Sequence, residues 1–153
     1  MIESSPSVVP AASASLVDGP VERTPLVDGS GFGGVCVFMG TTRPESHPEL
    51  GELRQLTYRV AEPLTSARME ILASSILDRH DLLQLHLRHA VGDVPIGADS
   101  VRIEAAAQHR VDAFAACREA IDRLKSEIPI WKLECWTRGE RWSSASTPLE
   151  QPR

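Results

Sequence analysis

Lysine is nearly absent from this chain. Its 153 residues include 14 arginines but only two lysines, Lys125 and Lys132. There is no basic stripe and the formal net charge is −5, which removes the electrostatic footprint of a nucleic-acid-binding protein. No apolar run approaches the ~20 residues of a membrane-spanning helix, so no membrane association is expected. The first twenty residues hold no Lys or Arg. That argues against a signal peptide or an Arg-rich transit peptide and predicts a cytoplasmic protein. The three cysteines, Cys36, Cys117 and Cys135, form no CxxC pair and are widely spaced. They read as reduced thiols, not as a disulfide framework or a zinc site. Metal-ligand spacing to matched acids is also missing around His47, His80, His86 and His89, so no metal is expected. The glycines of GSGFGG, residues 29–34, fit neither GxGxxG nor a P-loop, and no cofactor is expected.

What is present is an ordinary globular composition, 42% hydrophobic and 24% charged. The length fits one domain. Small residues and prolines dominate the beginning, and residues 1–15 read as a mobile tail. A single domain is expected over 16–144, followed by a frayed tail over 145–153. A short strand is predicted to begin near Leu16, and further strands at 35–39, 53–60, 82–91, 100–107 and 132–136. Residues 45–52 read as a surface loop and 92–97 as a turn-rich connection. Helices are predicted from Pro63 to about His80 and from His109 to Glu127. The second has Val111, Phe114, Cys117, Ile121, Leu124 and Ile128 on its apolar stripe. Alternation on the strand at 82–91 sends His86 and His89 to opposite faces. Helices interleaved with strands predict an α/β (α+β) fold, a mixed sheet packed with two main helices.

Three basic groups fall at predicted element ends: Arg43, His109-Arg110, and Lys125 with Lys132 around Pro129-Ile130-Trp131. Element ends on such a scaffold are where sites are built. The set would suit a small anion such as a phosphate ester, with Arg43 and Arg110 able to contact it in a bidentate manner. Lysine, unlike arginine, can lose its proton near neutral pH when desolvated or set beside other cations. Each residue also has a plain structural reading: solvated arginines, a helix-start histidine, a snorkelling Lys125 and a solvated Lys132. Residue types alone leave an α/β domain with an anion pocket.

The residue strings carry a resemblance. Phe38-Met39-Gly40-Thr41-Thr42-Arg43, Gln108-His109-Arg110 and the run Leu124-Lys125 through Trp131-Lys132, in that order, are similar to the catalytic (large) subunit of molybdopterin synthase. Leu56-Thr57-Tyr58 with Pro63, Val91 through Gly97, and Gly139-Glu140-Arg141-Trp142 add weaker echoes. The resemblance spans about Gly34 to Trp142. It implies a hammerhead-type α/β fold and a homodimer that takes a small ubiquitin-like sulfur-carrier subunit at each end, giving a heterotetramer. It implies sulfurtransferase activity in molybdenum cofactor biosynthesis. Two sulfurs pass from the carrier's C-terminal Gly-Gly thiocarboxylate to cyclic pyranopterin monophosphate, forming the molybdopterin dithiolene, with no metal on this subunit. By the same resemblance Lys125 and Lys132 are catalytic, and Arg43, His109 and Arg110 bind substrate in a pocket that draws on both protomers. Thr57, Ala61 and Gln108 depart from the family pattern. They motivate an alternative, a catalytically weak or regulatory paralogue that dimerises and docks the carrier. An unrelated phosphate-ligand binding module is a third reading.

Overall fold

The computed structural model describes residues 9–144. The expected C-terminal tail, and residues 1–8 of the N-terminal one, lie outside these. Eight strands and two helices follow in the order β1 (Ala11–Asp18), β2 (Gly34–Thr41), β3 (Ser46–His47), β4 (Gly51–Val60), α1 (Leu64–Arg79), β5 (Leu82–Pro95), β6 (Asp99–Ala107), α2 (Arg110–Glu127), β7 (Ile130–Trp136) and β8 (Gly139–Trp142). The main path of the sheet runs β2-β6-β5-β4-β7-β8, with β1 on β5 and β3 on β4. Only β1 against β5 is parallel; the other pairings are antiparallel. This is the expected mixed α/β fold of the hammerhead type. No helix among the described residues is long and apolar enough to cross a membrane.

Three boundaries differ from the sequence reading. β1 begins at Ala11, so residues 11–15 are strand and not tail. It pairs from Ala11 opposite Gln84 to Asp18 opposite Val91 and packs Ala12, Ala14 and Leu16 toward the core. Alanines and serines give that alternation too little hydrophobic contrast to be read from sequence. β5 continues to Pro95 through the expected turn. It changes partner there, from β1 and β6 to β4, where Tyr58 lies opposite Gly92 and Gln55 opposite Pro95. Gly92, at φ +83°, supplies the backbone conformation of that change. The 45–52 loop holds the short strand β3, whose Ser46 lies opposite Glu52.

Both helices lie on one face of the sheet. α1 packs on β1 and β5, α2 on β2 and β6. Met69, Leu72 and Ile76 of α1 and Ala116, Ala120 and Leu124 of α2 meet Leu85, Leu87 and Ile103 there. The small residues on the α2 face allow close approach to the sheet, and the burial of this cluster is the main favourable term for the fold. The Thr65 hydroxyl, fully buried, accepts the Ala61 N–H (2.9 Å) and donates to the Pro129 carbonyl (2.9 Å). It thereby ties the start of α1 to the turn between α2 and β7.

The opposite face of β5 and β6 is covered by the segment joining β1 to β2, residues 19–33, which contains no helix. All nine residues of β6 are therefore buried. The segment is fastened by polar contacts. Glu104, 1% exposed, accepts from the Leu26 N–H (2.7 Å), the Val27 N–H (3.3 Å) and Arg102 Nε (2.7 Å). Arg23 Nε donates to Asp99 (2.7 Å), and Asp28 exchanges hydrogen bonds with the Gln84 amide. Burial pushes the Glu104 carboxyl up, but Arg102 and the two backbone N–H groups outweigh it and hold the group below the usual range.

Two stability predictions follow from this packing. Glu104→Gln leaves Arg102 buried without its counter-charge and should cost about 3 kcal/mol by denaturant unfolding. Because the folded carboxyl is depressed, its contribution is complete above the unfolded value and is lost as pH falls through the folded one. The stability gap between wild type and Glu104→Gln should therefore close in acid, and pH-independent destabilisation would contradict the role. Thr65→Val should cost about 2 kcal/mol, because the Ala61 N–H and Pro129 carbonyl lose their partner in a site closed to water.

Candidate functional site

β2 leaves the sheet at Gly40. A Cβ there would lie 2.6 Å from Val101 Cγ1, so only glycine allows β2 to approach β6 this closely. The ladder is irregular between Gly40 and Thr41, and the chain then turns outward. Thr42 is clamped by two main-chain bonds, its N–H to the Ala98 carbonyl (2.9 Å) and its carbonyl to the Gly97 N–H (2.8 Å). That clamp presents Arg43. α2 brings Lys125 in its last turn, where the negative end of the helix dipole favours a cation. Ile128 and Pro129 are buried and turn the chain back into β7. There Lys132 lies directly opposite Tyr58 of β4. Alternation puts Lys132 and Glu134 of β7 on the same face as Leu56 and Tyr58.

These pieces enclose one cavity of about 540 Å³. Arg43, Lys125 and Lys132 all line it, with Phe38, Leu56 and Val101 among the apolar walls. Arg43 is largely exposed and its Nε lies 2.9 Å from Glu45. Among the described residues neither lysine has an ion pair, although Glu45 and Glu134 also line the cavity. Glu134 is instead engaged by Arg141 Nε at 2.5 Å, and Arg141 also lies over the Trp136 ring. The two lysines are thus left available for an anion.

His109 and Arg110 do not join this cavity within the chain. Both are exposed at the opposite end of α2. Arg110 and Lys125 are roughly 22 Å apart along the helix axis. The three departures from the family pattern also stand away from it. Thr57 faces the other side of β4, where its hydroxyl donates to Asp93 (2.6 Å). Ala61 begins the turn before α1, and Gln108 is exposed beside Gly33. Among the described residues no group of three His, Cys, Asp or Glu side chains could hold a metal ion.

The cavity also contains groups that residue spacing did not single out. His89, 7% exposed, lies in a row with Val101 and Gly40 across β5, β6 and β2. Its Nδ1–H donates to the Ala90 carbonyl (2.8 Å), and its ring meets Tyr58 edge-on at 4.8 Å. Burial, and then the Lys125 charge, outweigh the Ala90 bond and hold the imidazole down to about 4, so the ring is neutral at pH 7. Burial raises the Tyr58 hydroxyl, and the Ser100 side chain offsets part of that rise. Ser100 in turn donates to the Gly40 carbonyl (3.3 Å). Period-2 alternation was the available signal: His89 shares a strand face with Leu85 and Leu87, and that face is the core.

Comparison with known proteins places this arrangement. The sequence model of the MoaE protein matches residues 17–127. A molybdopterin synthase catalytic subunit from Pyrococcus abyssi is 31% identical over 122 residues, covering 79% of this chain and 80% of that protein. The crystal structure of molybdopterin synthase from Staphylococcus aureus aligns with a TM-score of 0.76 at 26% identity, covering 84% of this chain and 95% of that one. A chain from the complex of subunits 1 and 2 of the molybdopterin-converting factor of Helicobacter pylori shares the fold, with a TM-score of 0.68 at 21% identity and coverage of 86% and 90%. The fold and the sequence match over most of the domain agree: the chain belongs to the MoaE family of molybdopterin synthase catalytic subunits.

Proposed function

We propose that this protein is a cytoplasmic sulfurtransferase of molybdenum cofactor biosynthesis. It moves two sulfurs, one from each of two carrier molecules, onto cyclic pyranopterin monophosphate to form the dithiolene. The observation that carries the reading is the meeting of Arg43 with the only two lysines of the chain in one cavity, both lysines without a carboxylate partner among the described residues. The donor is the C-terminal thiocarboxylate of a small ubiquitin-like carrier. In each transfer the thiocarboxylate sulfur bonds to a substrate carbon as a carbon–oxygen bond at that carbon breaks, the oxygen leaving on the opened phosphate or as water. Water then cleaves the acyl–sulfur bond, leaving sulfur on the substrate and a carboxylate on the carrier. Lys125 is the principal catalytic residue. It polarises the thiocarboxylate carbonyl or moves a proton on the substrate intermediates. Lys132 holds the carrier's terminal carboxyl group or the substrate. Arg43 binds the substrate phosphate, for which a planar guanidinium is suited.

His109 and Arg110 complete the anion site in this reading, and their position dictates how. Separated from Lys125 by most of the length of α2, they reach a substrate in the cavity only when supplied by a second copy. In this reading the protein is a homodimer with a carrier at each end. The Helicobacter pylori complex of two subunits supports a carrier partner by analogy of fold. Thr57, Ala61 and Gln108 lie outside the cavity, so the departures behind the weak-paralogue alternative leave unaltered the lining that one chain contributes.

Lys125→Ala should lower the rate of dithiolene formation, from thiocarboxylated carrier and cyclic pyranopterin monophosphate, by at least about 100-fold, the range of a lost general acid–base group. Near-normal turnover would remove Lys125 from the chemistry. Arg43→Ala should raise KM for the pterin while leaving carrier affinity in place; equal loss of both would mark a structural defect. Sharing of the site between protomers is tested by mixing. Lys125→Ala and Arg110→Ala chains, each inactive alone, should recover about one quarter of wild-type activity when co-refolded in equal amounts, because each mixed dimer keeps one intact site. No recovery would place Arg110 outside the shared site.

A further inference from the structure

One polar ring atom on the cavity wall has no protein partner among the described residues and no part in the chemistry above. His89 donates from Nδ1 to the Ala90 carbonyl. The ring proton is thereby fixed on Nδ1 and the lone pair on Nε2. No hydrogen bond among the described residues reaches Nε2, although the residue is more than nine-tenths buried and lines the cavity. The Thr42 hydroxyl, 2% exposed and also on the cavity lining, is likewise unpaired. Buried polar groups in native proteins have partners as a rule, and exceptions at a cavity point to what fills it.

The character of the atom narrows the ligand. Arg43, Lys125 and Lys132 can only donate, and an anionic group satisfies them. Nε2 can only accept, because burial and the nearby Lys125 charge keep the ring neutral. An occupant that pairs every one of these groups carries an N–H or O–H donor apart from its anionic group. Phe38, Leu56 and Val101 line the same cavity, and the Tyr58 ring stands edge-on to His89. Apolar walls of this kind suit the faces of a flat heterocycle. The carrier tail need only bring its terminal group to Lys125 and Lys132, which leaves these walls to the ring.

We propose that His89 is a substrate-orienting residue whose Nε2 accepts an N–H of the pterin ring and fixes the ring relative to Arg43, Lys125 and Lys132. This rests on the sulfur-transfer reading. His89→Phe keeps the ring shape and the Tyr58 contact but removes the acceptor, together with the Nδ1–H bond to the Ala90 carbonyl. His89→Gln restores an acceptor near the position of Nε2.

The test is calorimetric binding of cyclic pyranopterin monophosphate and, separately, of the carrier to the full-length protein and both variants. It is joined by 15N-histidine NMR of the wild type and steady-state kinetics. His89→Phe should weaken pterin binding about tenfold, the effect of one lost hydrogen bond to a buried acceptor. Carrier affinity should stay within about twofold on the same scale. His89→Gln should recover most of the loss, and KM should rise more than kcat falls. In the wild type the Nε2 resonance, that of an unprotonated ring nitrogen, should move upfield when pterin binds. The NMR experiment decides the matter even if His89→Phe fails to fold, since an unmoved Nε2 resonance overturns the proposal. So does pterin binding by His89→Phe equal to wild type, and so does a loss confined to carrier affinity, which would make the carrier tail the occupant. Wild-type protein that does not bind the pterin at all would overturn the sulfur-transfer reading and this inference together.

Discussion

Three donors converge on the Glu104 carboxylate in the middle of β6: the Leu26 and Val27 N–H groups and Arg102 Nε. An ion pair buried this deeply gains only when its geometry and remaining hydrogen bonds are complete, and here they are. Once made, the cluster holds the connecting segment flat against the sheet. The same segment brings Arg23 to Asp99, and Asp99 also takes the Thr41 hydroxyl at 2.7 Å. Thr41 begins the turn that presents Arg43. The polar face of the sheet and the edge of the cavity are therefore linked by a short chain of bonded groups. The helix face is held by apolar burial, which tolerates small shifts, whereas the carboxylate contacts fix direction.

The cavity itself is assembled from parts far apart in sequence. The exit from β2 supplies an arginine, the last turn of α2 supplies one lysine, and β7 supplies the other. A tight bend with Ile128 and Pro129 buried separates the two lysines, so their relation depends on that bend and on the Thr65 hydroxyl that receives it. The acids nearby are occupied, Glu134 by Arg141 and Glu45 by Arg43. Carboxylates close to a lysine normally fix it as an ion-paired structural cation. Keeping them engaged elsewhere leaves the amines for a ligand.

Much of this was legible in the sequence, and the exceptions have physical causes. The helices were visible because apolar positions recur at helical spacing, and the structure starts and ends them within a residue or so of the expected points. But Val111 and Phe114 of the expected α2 stripe are exposed, and Ala113, Ala116 and Ala120 form the buried face with Cys117 and Leu124. β1 was read short because Ala and Ser carry little burial contrast. The extension of β5 was hidden because Gly92 and Pro95 look like a turn, whereas the strand uses them to change partners. Arg43, Lys125 and Lys132 could be grouped from their place at element ends. Their convergence required the β4–β7 register, which no local pattern encodes. His109 and Arg110 carry the same chemistry at the other end of α2, a separation that the helix predicted over 109–127 already implies. His89 was set aside for lacking metal-ligand spacing. The informative signal was its strand parity with Leu85 and Leu87, which placed a polar ring among core side chains.

The fastening of residues 26 and 27 has a consequence for how this segment can change over time. Glu104 is met there by main-chain N–H groups and not by side chains. Every amino acid except proline carries that donor. Selection for the bonds to Glu104 acts on residue 104 and on the length of the connection, and is nearly blind to which residues stand at 26 and 27. Such a segment can accumulate substitutions, and with them new surface chemistry along the outer face of the sheet, without loosening the attachment that holds it there.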